Sequence, residues 1–340
     1  MHIRQSRLCR ALIVTASVTS IAVASVEPSH LRASAPVIVT FSADDFWLNL
    51  HHFLYVLGRA QNGAADAQRP EVAGAPKEQD KLLATFNATD QQRWRDAVTV
   101  YAKGLSKGDV ISDDKLIAAT NALARIGGAS KLDNAAQALP ADVVIALQNA
   151  APLYRKALWG THDRSNQQWV KDAKALVDRL GAQVLAFITR AYQLPWPNAG
   201  YPVHVSAFTN WAGAYSTDGP LLVISSYDEG LRGPAALETV FHEASHQWDE
   251  PMLAKLQEIG RTLGKKVPEG LTHAMIWMTA GEAVRQAVPG YVPIAEAGGL
   301  WLRGANPSLR PALESAWLPF LRGAGDRDSA LTALMKLAGK

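Results

Sequence analysis

The sequence predicts an α+β protein that is predominantly helical and has a small sheet before one central helix. Apolar residues recur at helical spacing through most of residues 41–193. Between residues 203 and 225 the pattern changes to short, β-branched, alternating stretches that are typical of strands. Helical spacing then returns in Leu237–Asp249, so a helix is expected directly after the sheet.

The composition is that of an ordinary globular protein. Hydrophobic residues make up 48% of the 340 residues and charged residues 19%, which excludes a disordered or membrane-embedded chain. Lys and Arg number 34 against 31 Asp and Glu, and three of the arginines lie within the first ten residues. The rest of the chain is therefore neutral, and nothing indicates nucleic acid as a partner.

Residues 1–24 are predicted to be a secretory signal peptide. The three arginines precede an apolar run, Ala11–Ala24, which ends in the small residues Ala22 and Ala24 around a valine. The run is too short and too rich in Ser and Thr for a membrane span. Because Cys9 precedes it, the mature chain would contain no cysteine. We therefore expect an exported protein, periplasmic or secreted, that has no disulfide and no thiolate metal ligand.

The chain after the signal peptide is expected to begin with an unstructured lead-in, residues 25–40, followed by a helical N-terminal region, residues 41–193. Capping residues or prolines followed by apolar residues at core spacing predict the helix starts. These starts are Ser42–Asp45, Thr89, Ser112 and Pro140. The longest helix is predicted from about Arg164 to Tyr192 by the spacing of its apolar residues. Gly58–Lys81, which is rich in Ala, Gly, Gln and Pro, is predicted to be a loop.

Three short strands are predicted between the helical region and the central helix. They are Val203–Phe208, Trp211–Ser216 and Leu221–Ser225. The residues Thr217–Pro220 between the last two strands have the composition of a tight turn.

The central helix contains the sequence H-E-x-x-H, formed by His242, Glu243 and His246. Residues four apart lie on one face of a helix, so both imidazoles can reach one metal ion. Glu243 lies beside this pair, where it could take a proton from a water that the metal activates. Pro234 and Pro251 predict the start and the end of the helix.

The segment resembles the zincin metallopeptidases. Thr239, three residues before the first histidine, and the uncharged residues around the pair match their longer signature, whereas Ala244 stands where a bulkier apolar residue is usual. The resemblance implies Zn²⁺ as cofactor, a peptide or protein as substrate, and Glu243 as general base. It also implies that Ala212–Ser216 is the sheet edge with which an extended peptide pairs.

A catalytic zinc site needs a third protein ligand and an open position. A metzincin would have His or Asp six residues after His246, but that residue is Met252. Glu282, within a predicted apolar helix Leu271–Ala287, resembles the third ligand of the glutamate-ligand zincins (gluzincins). Gly281 and Gln286 depart from the gluzincin pattern, so the groups that orient the histidines are expected elsewhere. Asp228 and Asp249 are the candidates for orienting the histidines. Glu258 and Glu269 are the alternative candidates for the third ligand. If Glu282 is not a ligand, its expected structural role is an ion pair with Arg285.

The resemblance also requires a donor that stabilises the developing oxyanion. His273 and Tyr291 are predicted for this catalytic role, and Tyr215 is a further candidate. We thus expect a zincin-like catalytic core over residues 194–320 and a C-terminal helix over residues 321–340. The predicted function is that of an exported zinc metallopeptidase. The alternative is a non-catalytic exported binding or scaffold protein in which a metal site is structural or absent.

Overall fold

The computed structural model describes residues 37–133, 135–217, 221–304 and 306–339. The predicted signal peptide, most of the predicted lead-in and most of the predicted turn at residues 217–220 lie outside the described residues. Among the described residues, no helix is both long enough and apolar enough to cross a lipid bilayer.

Helices dominate the described residues, and the predicted class, α+β and predominantly helical, is confirmed. The helices are α1 (Phe46–Gln61), α2 (Ala75–Ala84), α3 (Ala88–Lys103), α4 (Asp114–Ile126), α5 (Ala141–Tyr154), α6 (Gly160–Tyr192), α7 (Pro234–Ser245), α8 (Asp249–Leu263), α9 (Leu271–Ala287), α10 (Ile294–Ala297), α11 (Asn306–Ala312), α12 (Leu318–Leu321) and α13 (Arg327–Ala338). The strands are β1 (Val39–Ser42), β2 (Tyr201–Ser206), β3 (Ala214–Thr217) and β4 (Leu221–Ser225).

The strands form one sheet in the order β1-β2-β4-β3. Strands β1, β2 and β4 are parallel, whereas β3 runs antiparallel to β4 and lies at the edge of the sheet. The predicted strands are all present, with small differences at their ends. Strand β1 begins at Val39, inside the predicted unstructured lead-in, so that prediction is wrong for its last residues. Its pairing partner is more than 150 residues away in sequence (Val39 opposite Tyr201), and no local pattern reveals such a pair.

The sheet separates two hydrophobic cores. Leu222 and Ile224 of β4 face a core formed with α6, α7 and α9, while Val223 between them faces a core formed with α1, α3, α4 and α5. Residues on both sides of the predicted boundary at 193/194 belong to one compact unit. The helical N-terminal region thus contributes to both sides of the sheet: α1, α3, α4 and α5 form a helical layer on one face, whereas α6 packs on the other face with α7 and α9.

Several predicted element ends differ from the structure. The C-terminal helix predicted over residues 321–340 spans Arg327–Ala338, and the helix predicted from Arg164 begins at Gly160. The predicted loop Gly58–Lys81 contains the last turn of α1 and most of α2, whose buried Ala75 and Leu82 anchor it to the core. The helix of the H-E-x-x-H sequence ends at Ser245 rather than at Pro251, and one 3-10 turn leads into α8. Pro251 lies in the first turn of α8, where the missing backbone N–H leaves no helical hydrogen bond unmade.

Candidate metal centre

Three histidines meet at the junction of α7 and α9. His242 lies in the last turn of α7, His246 directly follows that helix, and His273 lies in the first turn of α9. Each of the three pairs of ring centroids is 5.2 Å apart. One ligand nitrogen from each residue lies within 4.8 Å of the others, so this group could hold a metal ion.

Helix packing brings the three rings together. Val240, Phe241 and Ala244 of α7 are buried in the same core as Ala274 and Met275 of α9. His242 directly follows Phe241, and His273 directly precedes Ala274. His246 lies two residues after Ala244. The packing of the two helices therefore fixes the backbone positions of all three histidines. The sequence predicted the first two histidines as a pair, but it did not show which part of α9 faces them.

The spacing of the nitrogens fits a tetrahedral metal ion. Nε2 of His242 and Nε2 of His273 face each other at 3.3 Å. Two imidazole nitrogens at about 2.0–2.1 Å from one tetrahedral zinc ion lie about 3.3–3.4 Å apart. His242 is buried, a quarter of the His246 side chain is exposed, and His273 is exposed, so the group opens to solvent on one side. The residues present therefore fit a metal ion with an accessible face.

Asp249 orients His246. Its Oδ2 lies 2.6 Å from Nδ1 of His246, which leaves Nε2 of that ring for the metal. Although burial lowers the pKa of His246, the hydrogen bond to Asp249 and the nearby charges of Glu243 and Asp249 raise it overall. Asp228, the other predicted orienting group, instead accepts a hydrogen bond from the backbone N–H of Gly230.

The ring of Trp277 stacks against His242. Burial, together with the charges of the two other histidines, holds the pKa of His242 well below its ordinary value, which favours the neutral imidazole that a metal ion requires. Its Nδ1 is buried and has no hydrogen-bond partner among the described residues. The indole of Trp277 instead lies against it, with ring centroids 3.7 Å apart and planes inclined by 35°.

Replacing Trp277 with alanine is therefore expected to weaken metal binding by about tenfold, the lower end of the range for groups that orient a ligand. Trp277→Phe, which keeps an aromatic face, should retain most of the affinity. Competition with a chromogenic chelator measures both variants against the parent. Equal affinities of all three proteins would show that the stacking does not position His242.

Glu243 lies beside the three histidines with its two oxygens in different surroundings. Oε2 accepts a hydrogen bond from Oγ of Ser216 at 2.6 Å, and Oε1 lies 4.0 Å from Nε2 of His242. Burial raises the pKa of Glu243, while the positive charge of His246 and the Ser216 hydrogen bond oppose the rise. The contact of Ser216 with this carboxylate has no local signal in the sequence, because it depends on the packing of β3 against α7.

The structure does not bring Glu282 into the group, and this corrects the predicted third ligand. Glu282 lies nine residues after His273 on α9, which is about 13 Å along a helix axis. Its Oε1 accepts a hydrogen bond from Arg322 and its Oε2 from Arg285, each at 2.9 Å from Nε. Burial raises the pKa of Glu282, but the hydrogen bonds from the two arginines lower it overall. The group contains His273 in its place.

The residues predicted as oxyanion donors have other partners. His273 belongs to the three-histidine group that could hold a metal ion. The hydroxyl of Tyr291 donates to Oε2 of Glu238 at 2.6 Å. The hydroxyl of Tyr215 lies 2.7 Å from Nε2 of His52 and 3.0 Å from Oγ1 of Thr120, in the core on the opposite side of β3 from Ser216. Neither tyrosine hydroxyl contacts His242, His246 or His273 in this structure.

The carboxyl group of Glu238, one turn before His242, is expected to make the free energy of unfolding depend on pH. Burial raises its pKa from 4.5 to about 7, although hydrogen bonds from Tyr291 and the backbone N–H of Ile294 oppose the rise. A carboxyl group whose pKa is higher in the folded than in the unfolded protein contributes stability when it is protonated. This contribution is fully present below the unfolded pKa of about 4.5 and is lost as pH rises through about 7. Between about pH 5 and pH 8 the loss is on the order of 2 kcal/mol.

Urea unfolding of the parent and of Glu238→Gln at both pH values measures this contribution. The variant, which cannot titrate at this position, should lose less stability than the parent. An equal pH dependence in the two proteins would contradict the assignment.

Comparison with known proteins gives no relative. No family model matches the chain, and no curated protein or solved structure matches it either. The chemistry of the site is therefore derived from its own geometry.

Proposed function

We propose that this chain is a zinc-dependent peptidase that hydrolyses peptide bonds at the His242–His246–His273 group. The observation that carries the proposal is the pairing of that three-histidine group with the carboxylate of Glu243 directly beside it. A purely structural metal site does not need a buried carboxylate that is held next to the ligands without being one of them. Hydrolysis by an activated water does need such a base.

The donor set favours zinc. Three imidazole ligands and an open position are the arrangement of catalytic zinc sites, and imidazole nitrogen is a preferred zinc ligand. When bound, the ion would act as a Lewis acid on the peptide carbonyl and lower the pKa of a water to about 7.

The side chains around the group have distinct roles in this proposal. The three histidines would hold the ion, and Asp249 fixes the ring of His246. Glu243 would accept the proton of the attacking water through Oε1, the oxygen that faces His242, and pass it to the leaving amine. The exposed side at His273 is where the substrate would enter.

The position of β3 at the edge of the sheet is an argument for an extended peptide as the substrate. It pairs with β4 on one side and is the last strand of the sheet, so its other side could hydrogen-bond an extended chain. Ser216 of the same strand contacts Glu243, so a peptide paired with β3 would lie near the base. Export of the protein remains a prediction from residues 1–24.

Metal analysis and hydrolysis of the purified chain test the function together. Protein purified without added metal should contain about one zinc ion per chain and should cleave a casein-type substrate. A chelator should abolish cleavage, and added Zn²⁺ should restore it. Bound zinc without any cleavage would favour the non-catalytic scaffold, and absence of zinc together with absence of cleavage would overturn the proposal.

A further inference from the structure

We propose that Ser216 is a positioning residue for Glu243 that selects which carboxylate oxygen faces the reacting water. The inference rests on the proposed function and adds to it a residue from the sheet. It starts from the unequal surroundings of the two oxygens of Glu243, of which Oε2 contacts Ser216 and Oε1 faces His242.

The hydroxyl of Ser216 has two acceptors within reach but only one hydrogen. Its Oγ lies 2.6 Å from Oε2 of Glu243 and 2.7 Å from the main-chain oxygen of the same residue. A carboxylate is the stronger acceptor, because hydrogen bonds to an ionised group are shorter and roughly twice as strong as neutral ones. The hydroxyl hydrogen therefore goes to Oε2, and Oε1 remains free on the side of the metal ligands.

Contacts on the opposite face of strand β3 hold the Ser216 hydroxyl in place. Side chains alternate along a strand, so Ser216 faces α7 while its neighbours Tyr215 and Thr217 face the helical layer. On that face the hydroxyl of Tyr215 forms a hydrogen bond with Nε2 of His52, and Oγ1 of Thr217 donates a hydrogen bond to Oδ1 of Asn121 at 2.8 Å. A side chain on a strand whose two faces both make hydrogen bonds positions its partner more accurately than a side chain on a loop does.

The test compares three substitutions on this strand in the full chain. Ser216→Ala removes the hydroxyl, Ser216→Thr keeps it, and Thr217→Val removes a hydroxyl that faces away from Glu243. Crystal structures of the zinc-loaded proteins give the orientation of the Glu243 side chain. Zinc content, kcat and KM are measured on the same preparations with one peptide substrate.

Ser216→Ala should let the Glu243 carboxylate rotate away from its position in the parent. It should lower kcat by about tenfold, as for other orienting groups, with KM and zinc content unchanged. Ser216→Thr should restore both the orientation and kcat. Thr217→Val should leave the orientation and kcat unchanged even where stability decreases, because it keeps the Ser216 hydroxyl.

The crystal structures separate this inference from the proposed function. An unchanged Glu243 side chain in Ser216→Ala overturns the positioning role, whatever the hydrolysis assays show. A parent protein that binds zinc but cleaves no peptide overturns the peptidase, whereas the orientation of Glu243 still decides the role of Ser216. A drop in kcat that Ser216→Thr does not restore would also contradict it.

Discussion

Replacing His273 with alanine should lower the affinity for zinc by more than about a hundredfold. Loss of a group that only orients a ligand already costs about 10–100-fold in affinity, and loss of a ligand costs more. The effect should be large because Nε2 of His273 lies only 3.3 Å from Nε2 of His242 and belongs to the three-histidine group. Isothermal titration of the metal-free protein with Zn²⁺ measures the change.

Glu282→Gln on the same helix is the control for this experiment. It should keep the zinc affinity of the parent, because the carboxylate of Glu282 bonds to Arg285 and Arg322. It should lower the free energy of unfolding by about 1.5–3 kcal/mol, the range for hydrogen bonds to a charged group. If Glu282→Gln lost zinc while His273→Ala kept it, the third ligand would be Glu282, as the gluzincin resemblance implied.

Replacing Glu243 with glutamine is expected to lower peptide hydrolysis by a factor on the order of a hundred or more while zinc stays bound. Glutamine has nearly the same shape, and its amide can still contact Ser216, but it cannot accept the proton of the attacking water. The zinc content of the variant should equal that of the parent, because Glu243 is not one of the three grouped ligands. Assay of zinc and of peptide cleavage on one preparation separates the two effects.

A matched substitution shows whether any loss is specific to the base. Glu250 lies exposed in the first turn of α8, and Glu250→Gln should cleave the substrate at the rate of the parent. Glu243→Gln with parental activity would exclude Glu243 as the base. Loss of zinc in Glu243→Gln would instead mean that the carboxylate helps to hold the ion.

The parts of the site that depend on local spacing could be predicted from the sequence. His242 and His246 are one helical turn apart, and Glu243 lies between them, so their proximity follows from helix geometry alone. The helix Leu271–Ala287 was also predicted with the bounds that it has, because its apolar residues recur at helical spacing. These predictions need no knowledge of how distant segments pack.

The third histidine of the group could not be predicted as a partner of the first two, because its position depends on packing between helices. A carboxylate among apolar turns indicates a compensating charge, and for Glu282 a metal ion was expected to provide it. In the structure Arg285 and Arg322 provide the compensating charge, and Arg322 lies forty residues away in sequence. His273 is a possible metal ligand in the first turn of a predicted helix. Only the packing of that helix against α7 shows that it lies beside His242 and His246.

Contacts made by the sheet could not be predicted from the sequence either. The pairing of β1 with β2 joins segments that are more than 150 residues apart, and the contact of Ser216 with Glu243 requires β3 to lie beside α7. Both depend on how the strands are ordered in the sheet. The alternating pattern that predicted the strands does not contain that order.

Anomalous diffraction at the zinc absorption edge, from crystals of the protein purified without added metal, tests the three-histidine site most directly. We expect one peak, about 2.0–2.1 Å from a nitrogen of each of His242, His246 and His273, with the Glu243 carboxylate close by but not bound to it. A peak beside Glu282, or no peak in crystals grown with excess zinc, would contradict the assignment.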